Sequence, residues 1–373
     1  MRILIVSQDY PPSIGGAQTY TYELAKRLFR RCDALVVIAP FEKGCLDVDA
    51  KEEFSTIRVR GPRSLFPFLA YRHIRKFVSE NNGVDAIFNV QWPTAVSTAF
   101  ARKRGLDFKM VVAAHGRELL LKPYGLAFLN DLRFSTQRRI LKEADLVLAV
   151  SNYTADLVES NEVPRSAIRT VHNGTDAEHF ARTANGRTNG HPKTILTVSR
   201  LVERKGIDTV IKSLPEVIKS VPHLRYVIAG SGPEKKKLQL LAGDLQVEKH
   251  IDFVGSVPYA DLPEFYNDCD VFVMPSKEVE PDVEGFGIVF LEANACAKPV
   301  IGANTGGIPD AIIDGETGLL VDPDDHAQLA QAIIKTLTNK AFAEELGRQG
   351  YDRVHRESSW DHVADRCFAF LSE

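Results

Sequence analysis

Short apolar runs alternate with helical stretches along almost the whole chain, and this alternation limits the possible folds more than any other feature. In the first half, the predicted strands cover residues 2–7, 34–39, 86–90, 111–114 and 145–150. In the second half, they cover residues 194–198, 226–229, 251–254, 271–274, 300–302 and 319–321. Strands separated by helices are typical of parallel sheets with helices on both faces, which is the doubly wound α/β class.

The length of 373 residues suits two such domains, each large enough to bury its own core. A stretch with the composition of a linker, ARTANGRTNGHP, separates the two sets of strands. We therefore predict a first domain at residues 1–180, a linker at 181–192 and a second domain at 193–355. The remaining residues, 356–373, contain a last predicted helix at 360–371.

Charge is divided unevenly between the two halves, although the net charge of the whole chain is only -3. Residues 1–180 contain 25 Lys and Arg against 20 Asp and Glu, and the rest of the chain contains 21 against 29. A basic first half and an acidic second half indicate different partners. Five cysteines without a C-x-x-C pair favour reduced thiols and a cytoplasmic location. No run approaches the ~20 apolar residues of a membrane span.

Two carboxylates, Glu284 and Glu292, flank the glycine-containing segment EGFGIVFLE. If most of this segment is helical, a rise of ~1.5 Å per residue places the acids ~12 Å apart, roughly the reach of a nucleotide sugar from ribose to hexose. The free amides at the start of that helix would lie between the acids and would suit a diphosphate. The alternative is one acid near a helix dipole and a second acid on a solvated face.

Two cations, Arg200 and Lys205, follow the first predicted strand of the second half in the segment SRLVERKGID. Cations at the carboxyl edge of a parallel sheet suit a diphosphate leaving group, whose negative charge grows as a glycosidic bond breaks. Because Lys and Arg are also common on surfaces, spacing alone leaves a solvated loop as the alternative.

Glycine turns and a histidine occupy similar junctions after predicted strands. Gly15 and Gly16 precede the first predicted helix, and Gly230 and Gly232 follow the second strand of the second half. Glycine amides at the start of a helix can bind an anion, although each of these turns could be purely structural. His115 directly follows the run VVAA, at the end of a strand where catalytic groups of such sheets gather.

The segment EGFGIVFLEANACAKPVIGANTGGIPDAIIDGETGLLVDP resembles the C-terminal signature of the family 4, or group 1, glycosyltransferases. Its E-x7-E motif is matched completely, SRLVERKG matches the S-R-L-x-x-x-K-G pattern, and the similarity extends over nearly the whole chain. The resemblance implies a GT-B fold, with two Rossmann-like domains facing across a cleft. The acceptor would lie mainly on the first domain and the donor mainly on the second, and the C-terminal helix within residues 356–373 would pack back toward the first domain.

The resemblance also implies which groups of the second domain bind the donor. Arg200 and Lys205 would bind the diphosphate, while Glu284 would hold hydroxyls of the donor sugar and Glu292 would hold the ribose. Further donor contacts, mostly through backbone groups, would come from Gly230, Gly232, Val257, Phe286, Gly287 and Ile288.

In the first domain, the resemblance concerns a histidine and a glycine turn. His115 lies in the sequence HGRE, similar to the family's H-G-x-E, and would contact the donor sugar near the reacting carbon. The amides of Gly16, and then of Gly15, would approach the diphosphate. The resemblance implies transfer with retention of anomeric configuration. No dedicated nucleophile is evident, and the leaving phosphate would help to deprotonate the incoming hydroxyl.

Three D-x-D triplets, at residues 47–49, 268–270 and 322–324, are the strongest candidates for a metal site, because such a triplet holds a divalent metal in another glycosyltransferase fold. They fall in a polar loop, before a strand and in a proline turn. We therefore predict no metal site, no cofactor and no nucleic acid partner.

The segments EGFGIV and TGGIPDA look closest to mannosyltransferase-type members of the family, so GDP-mannose is the first predicted donor. UDP-glucose or UDP-N-acetylglucosamine, with a small soluble acceptor, is the alternative. A disaccharide phosphorylase and a non-catalytic protein that binds sugar nucleotides are the competing classes.

Two basic stretches, at residues 60–77 and 122–142, mix Lys and Arg with aromatic residues. Such surfaces can rest on an anionic membrane or bind an anionic acceptor, and the alternative is an amphipathic helix with a solvated basic face. We predict a glycan or lipid-linked acceptor and peripheral contact at the inner face of the membrane. The residues predicted to make that contact are Arg60, Arg63, Arg72, Arg75, Lys76, Phe66, Phe68, Tyr71 and Phe77.

Overall fold

The protein is described from a computed structural model that covers residues 1–13, 15–81, 83–122, 125–181, 191–279 and 281–373. Contacts among these residues divide the chain into two compact units. The first unit comprises residues 1–173 and 360–373, and the second unit comprises residues 174–359. Most of the predicted linker, residues 182–190, lies outside the described residues.

A parallel sheet forms the centre of the first unit. Its strands, over the described residues, are β1 (Arg2–Val6), β2 (Ala34–Pro40), β3 (Ser55–Val59), β4 (Ala86–Asn89), β5 (Lys109–Ala114), β6 (Leu146–Ala149) and β7 (Ile168–Thr170). They lie side by side in the order β3-β2-β1-β4-β5-β6-β7. Sequence analysis did not predict β3 or β7. β7 has only three residues and β3 buries only its last residue fully, so neither gives a clear apolar run.

Helices connect successive strands of the first sheet and cover it. They are α1 (Gly16–Phe29), α2 (Cys45–Asp49), α3 (Phe66–Glu80), α4 (Trp92–Lys103), α5 (Arg117–Leu120), α6 (Ala127–Glu143) and α7 (Asn152–Glu159). Strand residues such as Ile87 and Val112 share one apolar core with Ile74 of α3 and Ile140 of α6. Ser151 caps α7 by accepting a hydrogen bond from the Thr154 amide at 3.0 Å.

The second unit repeats this architecture with a smaller parallel sheet. Within the described part of the chain, its strands are β8 (Lys193–Val198), β9 (Leu224–Ala229), β10 (Ile251–Gly255), β11 (Val271–Met274), β12 (Val300–Ala303) and β13 (Leu319–Val321). The order across the sheet is β10-β9-β8-β11-β12-β13, and the predicted strands of this half are confirmed.

The helices of the second unit are α8 (Ile207–Ser220), α9 (Lys235–Asp244), α10 (Leu262–Asp268), α11 (Ile288–Ala295), α12 (Ile308–Ala311), α13 (His326–Thr338) and α14 (Lys340–Glu357). Val210 and Leu214 of α8 pack with Ile333 of α13 and with strand residues such as Ile195 in one core. The doubly wound class predicted from the alternation is therefore confirmed for both halves.

The last helix, α15 (Trp360–Ser372), belongs to the first unit and packs against α1. Trp360 is 1% exposed, and its ring lies 5.9 Å from the ring of Tyr20, measured between centroids. Arg31 Nε donates to Asp365 at 2.6 Å, so ion pairs flank the apolar contact. None of the described helices combines the length and the apolarity needed to cross a membrane.

Candidate active site

The loop that follows β1 leads to an open helix N-terminus. α1 begins at Gly16, and the preceding residue, Gly15, has no side chain that could cap the first amides. A Cβ atom added to Gly16 would meet no described atom within 4 Å, so internal packing does not require glycine at this position. Uncapped amides at the start of a helix are suited to an anion.

His115 lies at the carboxyl end of β5, and its ring is held from two sides. Its Nε2 lies 3.0 Å from the Val90 carbonyl oxygen, which can only accept, so Nε2 carries the proton. The His115 ring also meets the Tyr20 ring edge-on, with 4.8 Å between the two ring centroids. Because Tyr20 belongs to α1, the structure brings His115 close to the helix that begins at Gly16.

Glu118, the last residue of HGRE, fixes the loop that carries His115. Its Oε1 accepts a hydrogen bond from the His115 amide at 2.7 Å. Its carbonyl oxygen accepts from Trp92 Nε1 at 3.1 Å and from Arg133 at 2.5 Å. Arg133, which sequence analysis placed in a basic surface stretch, therefore turns toward this loop.

In the second unit, Lys205 and Glu284 form a buried ion pair. Lys205 Nζ lies 2.5 Å from Glu284 Oε2, and the two side chains are 12% and 14% exposed. Burial lowers the pKa of Lys205, and the nearby Glu284 carboxylate opposes that shift. Arg200, on the same loop, is exposed and adds positive charge close to Lys205. The structure thus brings three of the predicted residues into one cluster.

Arg204 also contacts Glu284, and sequence analysis missed it. Its guanidinium lies 2.5 Å from Glu284 Oε2 and 3.2 Å from Asp282 Oδ1, with the residue 8% exposed. Burial alone would raise the pKa of Glu284, but Lys205 and Arg204 outweigh it and lower the pKa to about 2. Glu284 is therefore ionised at neutral pH. Arg204 stands at an unspecified position of S-R-L-x-x-x-K-G, so the motif gave no signal for it.

Glu292 occupies a different environment from Glu284. It lies on α11, is 7% exposed, and its Oε2 accepts a hydrogen bond from Tyr266 Oη at 2.6 Å. Burial raises the pKa of Glu292 to about 7, against the opposing effect of Tyr266. Tyr266 was not predicted, because nothing in the local sequence connects it to a residue 26 positions away.

The segment between the two acids is only partly helical. α11 begins at Ile288, and residues 284–287 form a loop in front of it. The distance estimated for one continuous helix therefore does not apply to Glu284 and Glu292. Phe286 is buried, and no side chain caps the amides of α11 at Gly287.

The glycine turn after β9 packs tightly against the loop that carries Arg200. Gly230 has φ +151, and a Cβ atom there would lie 1.8 Å from the Ser199 carbonyl oxygen. At Gly232, a Cβ atom would lie 2.2 Å from the Leu201 carbonyl oxygen. These glycines are therefore required by close backbone approach. Val257, half-buried, lies in the next loop, after β10.

Thus His115, Gly15 and Gly16 belong to the first unit, and the other predicted site residues belong to the second unit. Within the described residues, no group of three or more His, Cys, Asp or Glu side chains is arranged to hold a metal ion. One acid of each D-x-D triplet pairs with a cation: Asp49 with Arg58, Asp270 with Lys193, and Asp324 with Lys277.

The aromatic residues predicted to meet a membrane are not equally exposed. Phe66 is 1% exposed and belongs to the core of the first unit, so the prediction that it touches lipid is wrong. Tyr71 and Phe77 are partly buried against the same core. Phe68, on α3, is 64% exposed, and the adjacent Leu65 is 49% exposed.

Some of the cations in the two basic stretches form ion pairs with acidic side chains. Arg63 lies 2.5 Å from Asp9 and 3.0 Å from Glu42. Arg138, in the second basic stretch, pairs with Glu162 at 2.7 Å. The start of α6 instead exposes apolar side chains, those of Leu126, Phe128 and Leu132.

Comparison with known proteins identifies the class to which this fold and these loops belong. Residues 14–179 match the family described as Glycosyltransferase Family 4, and residues 181–353 match Glycosyl transferases group 1. The chain belongs to this family of glycosyltransferases, and the predicted GT-B fold is confirmed.

Among its relatives is a GDP-mannose-dependent alpha-(1-6)-phosphatidylinositol monomannoside mannosyltransferase of Mycolicibacterium smegmatis. The two chains are 34% identical, over 99% of this chain and 98% of the relative. A GDP-mannose-dependent monoacylated alpha-(1-6)-phosphatidylinositol monomannoside mannosyltransferase of Corynebacterium glutamicum is 30% identical, over 99% of this chain and 97% of the relative.

Solved structures share the fold at lower sequence identity. Sucrose-phosphate synthase from Thermosynechococcus elongatus superposes with a TM-score of 0.82 at 22% identity, covering 100% of this chain and 98% of that one. HepE from Anabaena, in complex with UDP, has a TM-score of 0.81 at 20% identity, covering both chains completely.

Proposed function

We propose that this chain is a retaining mannosyltransferase that moves mannose from GDP-mannose to a hydroxyl of a lipid-linked acceptor. The observation that carries the proposal is the buried, ionised Glu284, which is paired with Lys205 and lies in the loop that leads to the uncapped start of α11. Relatives of matching length that are named for GDP-mannose and for phosphatidylinositol mannosides support the choice of donor and acceptor.

The second unit would bind the donor. Arg200 and Lys205 hold the diphosphate, whose charge increases as the bond to the sugar breaks. Glu284 accepts hydrogen bonds from sugar hydroxyls, and Glu292 accepts them from the ribose. Further contacts with the nucleotide and the diphosphate come from backbone groups of six residues: Gly230, Gly232, Val257, Phe286, Gly287 and Ile288.

A diphosphate entering this cluster would find its cations already placed. Lys205 is paired with Glu284 before the donor arrives, and Arg204 contacts the same carboxylate oxygen. Arg204 can therefore keep Glu284 neutralised when Lys205 turns toward a phosphate. Once Lys205 has turned toward the bound donor, its charge is in place before the bond to the sugar breaks, and charges positioned in advance stabilise a transition state.

The first unit would contribute His115 and the start of α1. His115 contacts the donor sugar near the reacting carbon, with Nε2 held by the Val90 carbonyl. The amides of Gly16 and Gly15 approach the diphosphate. In the reaction, the bond between the sugar and the phosphate oxygen breaks, the acceptor oxygen bonds to the same face of the sugar carbon, and the hydroxyl proton passes to the leaving phosphate.

A panel of nucleotide sugars tests the reaction. The purified chain is incubated with each donor and with a lipid extract containing phosphatidylinositol mannosides, and release of the free nucleotide is assayed. We expect release of GDP from GDP-mannose that depends on the lipid. Release from UDP-glucose or UDP-N-acetylglucosamine with a soluble sugar would favour the alternative transferase. Phosphorolysis of a disaccharide without nucleotide, or binding without turnover, would favour the two other classes.

We also propose that the first unit rests on the inner face of an anionic membrane through the start of α3. Phe68 and Leu65 are exposed there, followed on the same helix by the exposed Arg72, Arg75 and Lys76. Apolar side chains can enter the interface, while cations gain about 1 kcal/mol each from anionic headgroups.

Sedimentation with vesicles tests this contact. We expect binding to anionic but not to neutral vesicles, weakening at high salt as the charges are screened. Phe68→Ser should weaken this binding. Leu240→Ser is the control, because Leu240 (71% exposed) is at least as exposed as Phe68 but lies on α9 of the second unit, outside the proposed contact, and its substitution should have no effect. No sedimentation under any of these conditions would favour a soluble acceptor.

A further inference from the structure

Tyr266 is a buried residue whose hydroxyl points at a carboxylate oxygen. The residue lies on α10 with 0% of its surface exposed. Its Oη donates to Glu292 Oε2 at 2.6 Å, and this is a buried contact between two helices. α10 follows soon after the loop that contains Val257, so one short segment connects that loop with the partner of Glu292.

The aromatic ring of Tyr266 is fixed by its surroundings. It meets the ring of Phe180 edge-on at 5.5 Å and the ring of Phe272 at 5.6 Å. Phe272 in turn meets Phe290, two positions before Glu292 on α11. Because these rings are part of a close-packed core, Tyr266 cannot follow the carboxylate if it moves. Its hydroxyl is thus a donor at a fixed position.

Glu292 lacks the cations that neutralise Glu284. Among the described residues, none of the ion pairs involves Glu292, and the titratable groups that face it are Tyr266 from α10 and Cys296, directly after the end of α11. Burial therefore raises the pKa of Glu292 to about 7, and the hydrogen bond from Tyr266 acts in the opposite direction. Burial favours the protonated form of this carboxyl group. Further hydrogen-bond donors would favour the charged form and so displace the proton.

We propose that Tyr266 is the positioning residue for Glu292, and that the ribose diol of the nucleotide displaces a proton from the Glu292 carboxyl group. An ionised carboxylate has about four acceptor sites, of which Tyr266 occupies one, and the diol supplies two donors for the others. The proton leaves for the solvent as the nucleotide enters. The proposal rests on the ribose-binding role of Glu292 given under the proposed function.

Calorimetry with GDP tests the displacement of the proton. Binding heats measured in buffers of different ionisation enthalpy give the number of protons released, at pH 6.5, 7 and 8.5. We expect the unmodified protein at pH 7 to release about half a proton more than Glu292→Gln, since a group with a pKa near 7 is half protonated there. Protons from the phosphates of GDP are the same in both proteins and cancel.

Tyr266→Phe tests the positioning role, because it keeps the ring and removes only the hydroxyl. Without that donor the carboxyl group holds its proton more tightly. The loss of affinity for GDP caused by Tyr266→Phe should therefore be roughly threefold larger at pH 6.5 than at pH 8.5. Tyr226→Phe is the matched control. Tyr226 is also fully buried in the second unit, and its hydroxyl contacts Thr197 at 2.9 Å. It should leave the pH dependence unchanged.

The outcomes separate this inference from the proposed function. Equal proton release by the unmodified protein and Glu292→Gln, or a loss in Tyr266→Phe that is the same at every pH, would overturn the inference alone. If Glu292→Gln binds GDP as tightly as the unmodified protein at pH 8.5, the ribose-binding role itself fails. Should Tyr266→Phe not fold, the comparison with Glu292→Gln still decides the displacement of the proton.

Discussion

Two glutamates eight positions apart in one motif have opposite electrostatic environments. Glu284 shares one oxygen with Lys205 and Arg204, and its pKa is lowered to about 2. Glu292 has a tyrosine as its partner, and its pKa is raised to about 7. One carboxylate is therefore permanently charged at neutral pH, while the charge of the other depends on what binds to it.

Removing Lys205 or Arg200 should reduce turnover more than it weakens substrate binding. In the proposed role their attraction to the diphosphate is greatest when the bond to the sugar breaks, so alanine at either position should lower kcat by about 10²-fold or more. Steady-state kinetics with the preferred donor check this expectation. The control is Lys219→Ala, since Lys219 is a solvated lysine on α8 that pairs with Glu216. A change confined to KM would count against the proposed role.

Glu292→Gln should make stability less sensitive to pH. The folded-state pKa is raised from 4.5 to about 7, so the stabilising effect of the proton is complete below pH 4.5 and is lost as pH rises through 7. By about pH 8 the unmodified protein has lost up to about 3 kcal/mol of unfolding free energy, and glutamine should avoid this loss.

Urea unfolding of both proteins between pH 4.5 and pH 8 measures the effect of Glu292. We expect the glutamine variant to gain stability relative to the unmodified protein as pH rises across this range. A difference that stays constant with pH would mean that folding does not raise the pKa of this carboxyl group above its value in the unfolded chain.

Sequence reasoning found the charged groups of these clusters but not all of their partners. Glu284, Lys205 and Arg200 stand in recognisable motifs, and the structure places them together. Arg204 and Tyr266 act through tertiary contacts over 80 and 26 positions, which no local pattern records. The same limit applies to Phe66, whose burial depends on how α3 packs and not on its basic neighbours.

At the scale of elements, the loops at the carboxyl ends of β8 and β9 are packed backbone against backbone. The Leu201 amide donates to the Ser231 carbonyl at 2.9 Å, and the Gly230 amide donates to the Gly255 carbonyl at 2.7 Å. Three consecutive loops of the second unit therefore form one hydrogen-bonded layer. The cations of the candidate site are carried on the loop after β8, which bonds to the central loop of this layer, the one after β9.

Gly206, where α8 begins, should tolerate no side chain. Its φ is +66, and a Cβ atom would lie 1.9 Å from the Pro275 carbonyl oxygen. Gly206→Ala should cost about 2–4 kcal/mol of unfolding free energy, because both the backbone conformation and the contact resist a side chain. Chemical denaturation measures this loss.

Gly243→Ala provides the matched control in α9. A Cβ atom there meets no described atom within 4 Å, and alanine should stabilise the helix by ~0.5–1 kcal/mol. If both variants lost stability equally, the close approach of Gly206 to Pro275 would not be the cause.

The elements themselves were predicted to different extents. Strands such as β5 and β11 are continuous apolar runs, buried on both faces, and their sequences identify them directly. β3 and β7 lie at the two edges of the first sheet, where partial burial weakens the apolar signal. Edge strands depend on the neighbour they pair with, which the local sequence does not specify.

At the scale of the whole molecule, the chain passes between its two compact units twice. It leaves the first unit after Asn173 and returns to it at Trp360. The return is secured by the contact of Trp360 with Tyr20, whose ring also contacts His115. The C-terminal helix is thus part of the structure that supports a candidate catalytic residue.

Transfer of labelled mannose into lipid is the most direct test of the proposed mannosyltransferase. The purified chain is incubated with membranes containing phosphatidylinositol monomannoside and with GDP-mannose labelled in the sugar, and the lipids are then extracted. We expect label in the lipid fraction, joined with retained configuration, and a loss of about 10²-fold or more with Lys205→Ala. Label that remains in the aqueous phase, while a UDP-linked sugar is transferred to lipid or to a soluble acceptor, would contradict the proposal.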